Sequence, residues 1–415
     1  MRILYIDHYA GSLSHGMEFR PYYLARQWSR SGHDVLIVAA SFAHVRAVQP
    51  PAEALGRVQE IDGVRYLWLR TPRYKGNGVR RAVNMAAFVT ELFRRRRLLA
   101  NWRPDAVIAS STYTWDNYPA RIIAKACAAR FVYEVHDLWP LSPMEISGMS
   151  RLHPFILSLQ HAEDFACRHA DAVVSLLPFA NRHLESRGMS PGRFHYVPNG
   201  IELDEWQECQ APLPDCHSSA IRDLRARCRL LILYAGAHGP SNALDTLLGA
   251  AELLRGRPIG FLMVGDGSEK SRLQSEVARM QLGNVLMLPS VGKRAIPALL
   301  READVLYVGH VRTPLHRFGI SPNKLMDYMA AERPVIQAID AGNDIVAEAS
   351  CGVSITPGDS AASARAILEM SEMSVERRAE MAERGRRYVR QHHDYKVLAA
   401  RFVEIIESAR PQAMP

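Results

Sequence analysis

Between Phe318 and Ala331 the chain places a glycine, a helix start, a lysine and an acid in quick succession. Ser321 suits an N-cap and Pro322 the first helical turn, so a helix is expected to begin here. Gly319, just upstream, lets the backbone approach a ligand closely. A helix N-terminus is a ready anion site, and Lys324 adds a full positive charge to its first turn. Asp327 follows three residues later on the same side of the helix, where its carboxylate could accept hydroxyl hydrogen bonds. Phosphate at one end and sugar hydroxyls one turn on would suit a nucleotide-sugar. A capped helix leading into the apolar run Pro334 to Ala338 fits the same residues.

Other candidates fall where an apolar run ends. His136 and Asp137 close one such run, and the loop His8 to Pro21, with Gly16, Glu18 and Arg20, follows the first. Gly236 and Gly239 allow a tight turn after another, with His238 inside it and Asn242 leading to a helix; Asp266 lies in a glycine turn, and Gly292 with Lys293 follows a further run. In parallel α/β sheets, ligands bind at the carboxyl ends of strands, which makes these positions worth weighing. Each has a plain structural reading as well, as a strand-end side chain, a surface loop or a helix-capping turn. Gly-x-Gly-x-x-Gly is absent, so no dinucleotide fingerprint is present. No Asp-x-Asp occurs, so a metal-held diphosphate has no obvious ligand set; no metal or cofactor is expected.

Strand-like runs alternate with amphipathic helical stretches across the whole length, which predicts an α/β protein of two doubly wound parallel sheets. Strands are expected at Arg2–Asp7, Asp34–Ala40, Val64–Leu69, Asp105–Ser110, Phe131–His136, Ala172–Leu176 and Phe194–Val197. A second series runs Leu230–Ala235, Gly260–Val264, Val285–Leu288, Val305–Val308, Val335–Ala338 and Val353–Ile355. The predicted division is a domain over 1–200, a polar linker over 201–229, a second domain over 230–392 and a terminal helix within 393–415.

The composition agrees with a soluble globular chain: 415 residues suffice for two cores, and 48% are hydrophobic and 23% charged. Six scattered cysteines without a Cys-x-x-Cys pair suggest reduced thiols in the cytoplasm. Cys209, Cys216 and Cys228 with His217 are too irregularly spaced for a zinc site to be favoured. No run of about eighteen apolar residues exists to span a bilayer. The net charge of +8 implies an acidic partner. Arg94, Arg95, Arg96 and Arg97, flanked by Phe88, Leu92, Phe93, Leu98 and Leu99, read either as a basic amphipathic helix on an anionic membrane or as a solvated helix face. Stacking aromatics interleaved with the charge are lacking, which argues against nucleic acid.

The Ser321 to Ala331 stretch resembles the donor-binding segment of glycosyltransferase family 4, in particular bacterial polysaccharide and O-antigen members that read Ser-Pro-Asn-Lys-Leu before an acid. The resemblance extends to 131–140 and 234–248. It implies the GT-B fold, two Rossmann-like domains facing across a cleft, the first binding acceptor and the second a UDP-sugar, with the last helix returning to the first domain. It implies a retaining, metal-independent transfer of a hexosyl or N-acetylhexosaminyl group to a lipid-linked acceptor, at the inner face of the cell membrane. Asp327 matches the second of two glutamates common in the family; the first has no clean match, falling on Gly319 or His316. Carried over by motif, His136, Lys324 and Asp327 would serve the chemistry. Gly236, His238, Asn242, Asp266, Arg317 and residues 319–323 would meet the donor, and Gly16, Glu18, Arg20 and Asp137 the acceptor. Many relatives carry an arginine and a lysine where this chain has Ala237 and Asn242, so Lys324, His238, Arg317 or Arg312 must neutralise the leaving diphosphate. An epimerase acting on UDP-N-acetylglucosamine and a silent sugar-nucleotide-binding subunit are the competing readings.

Overall fold

A computed structural model of the chain describes residues 1–208 and 211–409. The chain divides into two compact units, one of residues 1–199 with 395–415 and one of residues 200–394. In the first, strands β1 (Arg2–Ile6), β2 (Asp34–Ala40), β3 (Val58–Ile61), β4 (Val64–Leu69), β5 (Ala106–Ala109), β6 (Arg130–Val135), β7 (Ala172–Ser175) and β8 (Phe194–Tyr196) form one sheet. Its order is β3-β4-β2-β1-β5-β6-β7-β8, parallel except where β3 pairs antiparallel with β4. The second unit holds β9 (Leu230–Ala235), β10 (Ile259–Val264), β11 (Val285–Leu288), β12 (Val305–Gly309), β13 (Val335–Ala338) and β14 (Gly352–Ile355), all parallel, in the order β11-β10-β9-β12-β13-β14.

These are the two doubly wound sheets that the alternating pattern predicts. Their inner strands are covered on both faces, which is why β1, β9 and β10 read as nearly unbroken apolar runs. In each sheet the connections reverse direction beside one strand, β1 in the first and β9 in the second. The loops at their carboxyl ends therefore lie at the topological switch point, where doubly wound sheets leave room for ligands.

The structure adds two elements and corrects one expectation. The edge strand β3 escaped notice because Val58-Gln-Glu-Ile61 is half polar. The short helix Leu141–Ser147 was hidden by Pro140 and Pro143. The stretch 201–229, expected to be an irregular linker, carries helices Leu203–Glu208 and Asp215–Arg225. These bury Trp206, Ile221 and Leu224 in the second unit's core, while their charged outer faces disguise the amphipathic spacing. Cys209 lies outside the described residues; His217 uses Nε2 on the Pro289 carbonyl at 2.9 Å.

The helix Tyr395–Ser408 belongs to the first unit and packs on the helix Arg20–Arg30. Tyr395 stacks on Tyr23 at 5.0 Å, Phe402 meets Trp28 edge-on at 5.3 Å, and the Trp28 indole donates to the Ala399 carbonyl at 3.0 Å. Leu398, Phe402, Ile405 and Ile406 are all buried there, each contributing about 1.5–3 kcal/mol. Phe402→Ala should therefore cost about 3–5 kcal/mol, read by denaturant unfolding of the full chain. A loss under about 1 kcal/mol would mean the helix is only loosely seated.

Candidate functional site

In the second unit, the loop after β9 and the helix Asn323–Ala330 build one cluster. The helix starts at Asn323 with Pro322 as its N-cap, one residue later than Ser321 would place it, because the extended backbone of Pro322 ends the preceding turn. Lys324 lies in the first turn as expected. Its ammonium donates to the Tyr234 hydroxyl at 3.0 Å and to Asn242 Oδ1 at 2.5 Å, and sits 4.8 Å from the Tyr234 ring centre. Asn242 turns its amide nitrogen to the Ala237 carbonyl at 2.9 Å, which Tyr234 also holds at 2.7 Å. The three side chains thus lock the turn Gly236–Asn242, with Lys324 against Gly236. Burial pushes the Lys324 ammonium down to about 8.

The floor beside this turn is main chain. A Cβ on Gly265 would lie 1.8 Å from the Gly236 carbonyl oxygen, and one on Gly267 would lie 2.4 Å from that of His238. The two glycines let the loops after β9 and β10 touch backbone to backbone. Next to them opens a recess of about 290 Å³, lined by Gly236, Ala237, Gly265, Asp266, Ser290 and Val291. Asp327 is half-buried on the same helix as Lys324; burial pushes its carboxyl up, and Lys293 acts against that.

Several expected donor contacts are otherwise engaged. Asp266 accepts from Lys270 at 2.6 Å and from the Ser290 backbone at 2.9 Å, which holds it far below the usual carboxylate range and makes it a turn residue. His238 is fully buried and burial lowers its pKa, so it is a neutral side chain behind the turn and not a source of positive charge. Arg312 pairs with Asp340 at 2.7 Å on the surface. Arg317 donates to the Pro314 carbonyl at 2.6 Å and lies over Phe318. Gly319, at φ +94°, turns the chain toward the helix. Ile320 is pinned by Asn343, which accepts its N–H at 2.8 Å and returns an amide proton to its carbonyl at 3.0 Å. Burial also pushes His310 down to about 3, with Lys324 adding to the shift.

The first unit gathers a different set at its switch point. Glu134 on β6 is fully buried and accepts from Tyr5 at 2.5 Å, from Ser110 at 2.5 Å and from Arg20 Nε at 2.9 Å. His136, one residue past β6, lies 3.2 Å from the Glu134 carboxylate and 2.8 Å from the Ser110 hydroxyl. Burial opposes the imidazolium, but the Glu134 charge outweighs it and raises the His136 pKa. Arg20 and the imidazole overcome burial at Glu134 and hold its carboxyl far below normal. Asp7, one residue past β1, is pushed up to about 7 by burial.

Arg20 is thus no acceptor ligand: its remaining nitrogens donate to the carbonyls of Pro198 at 2.5 Å and Val197 at 2.9 Å. The N–H of Gly16 is taken by the Ser12 carbonyl at 2.8 Å, and Gly16 packs toward Ala47. Glu18 is half-buried, with its backbone N–H and carbonyl committed to Tyr9 and Gly11. Asp137 receives the Leu138 N–H at 2.8 Å and the Ser142 hydroxyl at 2.6 Å. Arg94, Arg96 and Arg97 are exposed and Arg95 half-buried, with Glu91 bridging Arg94 and Arg95. Their helix, Val79–Asn101, buries Phe88, Leu92 and Leu99 in the protein core. Leu98, beside Arg97, is exposed. The sequence reading passed over Tyr234 and Glu134; the second carried a signal, being an acid two residues before His136 inside an apolar run.

Residues 15–200 match the family described as glycosyl transferase 4-like domain, and residues 229–373 match glycosyl transferases group 1. The putative colanic acid biosynthesis glycosyl transferase WcaI of Escherichia coli (strain K12) is 23% identical over 313 residues, 73% of this chain and 75% of WcaI. Among solved structures, sucrose-phosphate synthase from Thermosynechococcus elongatus superposes with a TM-score of 0.71 at 16% identity, covering 98% of each chain. Anabaena HepE in complex with UDP-glucose superposes with a TM-score of 0.67 at 16% identity, over 98% of this chain and 100% of HepE.

Glu134→Gln should destabilise the fold by about 3–5 kcal/mol in chemical unfolding, since it strands the buried Arg20 charge. An effect below about 1 kcal/mol would mean that water or another acid takes over. The alternating sheets and the two successive domain matches give the same answer: the chain is a glycosyltransferase of the GT-B fold, with a 4-like domain followed by a group 1 domain.

Proposed function

We propose that this chain transfers a hexosyl or N-acetylhexosaminyl group from a UDP-sugar to a lipid-linked acceptor in bacterial surface-polysaccharide assembly, with retention and without metal. The observation that carries the reading is Lys324, docked by Tyr234 and Asn242 onto the turn after β9. A cation held over a glycine turn at a strand's carboxyl end is suited to a diphosphate leaving group. Asn242, where many relatives have a lysine, positions the one that Lys324 supplies. Asp327 holds donor hydroxyls, and His136 orients the reacting sugar. The UDP-glucose complex of HepE and the role in WcaI's name support the donor class and the pathway class. The acceptor face is assigned to the first unit and the working location to the cytoplasmic face of the membrane.

A silent sugar-nucleotide-binding subunit is the second reading, favoured by Ala237, whose methyl stands where many relatives carry an arginine. UDP release from a panel of UDP-sugars, with and without membrane lipid extract, separates the two. Lipid-dependent release establishes transfer, whereas UDP binding without release from any donor establishes the silent subunit. Lys324→Ala should lower turnover roughly 10²-fold with the fold intact.

A pH profile tests the same residue. With its pKa near 8, Lys324 is mostly protonated at neutral pH and loses its charge as pH rises through that value. Diphosphate favours the charged form, so UDP affinity should hold below about pH 7 and fall by up to about tenfold per unit above 8. Lys324→Arg, charged throughout, should flatten the profile. A wild-type affinity that stays constant from about pH 7 to 9.5 would remove Lys324 from the binding.

A further inference from the structure

The first unit holds a recess of about 500 Å³, lined in part by Asp137 and Ser142. Its wall is mainly apolar, formed by Val79, Met85, Trp139, Pro143, Ile146 and Phe155. Arg81 stands on one side. It donates to Asn77 at 2.8 Å and to the Tyr9 hydroxyl at 3.2 Å, with its guanidinium carbon 5.5 Å from the Trp139 ring centre. Its Nε is buried and has no hydrogen-bond partner among the described residues. At the mouth, Val79 is 81% exposed and Ile146 66% exposed, and Leu152, beside the lining His153, is 73% exposed. Arg73, Lys75, Arg80 and Arg151 are exposed close by in the chain. The acids in reach are Asp137, already engaged by Leu138 and Ser142, and the half-buried Glu145.

An apolar recess with a cation at its inner side fits an amphiphile whose hydrocarbon chain is joined directly to an anionic head. A rim that mixes exposed aliphatic and basic side chains is the pattern that meets an anionic bilayer. The inner side also adjoins the strand-end cluster, because Tyr9 donates its backbone N–H to Asp7 at 2.8 Å and Asp137 is the residue after His136. We propose that this recess seats the phosphate-proximal part of a lipid-phosphate acceptor's hydrocarbon tail, with Arg81 on the phosphate and the rest of the tail leaving past Val79, Ile146 and Leu152 into the membrane. This rests on the lipid-linked acceptor reading and gives it a location.

The test is flotation of the full chain with two sets of phosphatidylcholine vesicles of matched surface charge, one doped with a polyprenyl phosphate and the other with phosphatidylglycerol. The wild type should partition about tenfold more strongly onto the first set. Ala82→Trp, which fills the recess without altering charge, should abolish that preference while UDP affinity stays unchanged. Ile146→Asp, at an exposed mouth position that cannot upset the core, should do the same. Arg81→Gln should weaken the preference, and replacing Arg94 to Arg97 with glutamine should weaken both vesicle sets alike. Equal partitioning of the wild type onto the two sets would overturn the proposal, as would an undiminished preference in Ala82→Trp and Ile146→Asp. No vesicle binding at all would overturn it too and leave this surface to a protein partner. A lipid preference without sugar transfer from any donor would sink the transferase reading alone.

Discussion

The first unit depends on one buried ion pair. Arg20 and Glu134 lie out of contact with water, where an isolated charge of either sign would be costly, so each must be surrounded by complementary groups. Glu134 is met by Tyr5, Ser110, Arg20 and His136, and Arg20 also donates to the carbonyls of Val197 and Pro198. The pair thereby joins β1, the end of β5, β6, the first helix and the segment by which the chain leaves the unit. The Glu134 charge also raises the His136 pKa against burial, near Asp7, whose carboxyl burial pushes up to about 7.

The second unit solves a related problem differently. Its cluster holds Lys324 by neutral partners, and burial lowers its pKa. A cation kept in that state gains most when an anion arrives. The Arg20–Glu134 pair is matched within its own unit, whereas the hydrogen bonds of Lys324 go to neutral groups. The same contrast explains why Arg20 is a structural residue although it sits in a loop-to-helix stretch that invites a functional reading.

Much of the fold was legible in the sequence because both sheets are covered on both faces. Continuous apolar runs mark such strands, and the fourteen strands differ from the expected set by the half-polar edge strand β3. The helices in 203–225 were not legible, since their buried residues are few and their outer faces strongly charged. Chain position found Lys324 and the Gly236–Asn242 turn, because glycines and strand ends are local features. It did not find Tyr234, which is indistinguishable from any strand aromatic until its hydroxyl is seen against Lys324, or the reciprocal clamp of Asn343 on Ile320. The basic helix has two sequence readings for a physical reason: core and membrane faces share one spacing, and here Phe88, Leu92 and Leu99 serve the core while Leu98 beside Arg97 is exposed.

The helix Tyr395–Ser408 completes the first unit's core although the whole of the second unit precedes it in the chain. On the ribosome, the first sheet must therefore wait, with the face around Trp28, Tyr23 and Ala25 uncovered, until the intervening unit has been synthesised. The second unit is an insertion, in sequence, between the first unit's sheet and the helix that completes it. Interrupting translation anywhere in the second unit would leave an exposed apolar surface on the first, a substrate for chaperones and proteases.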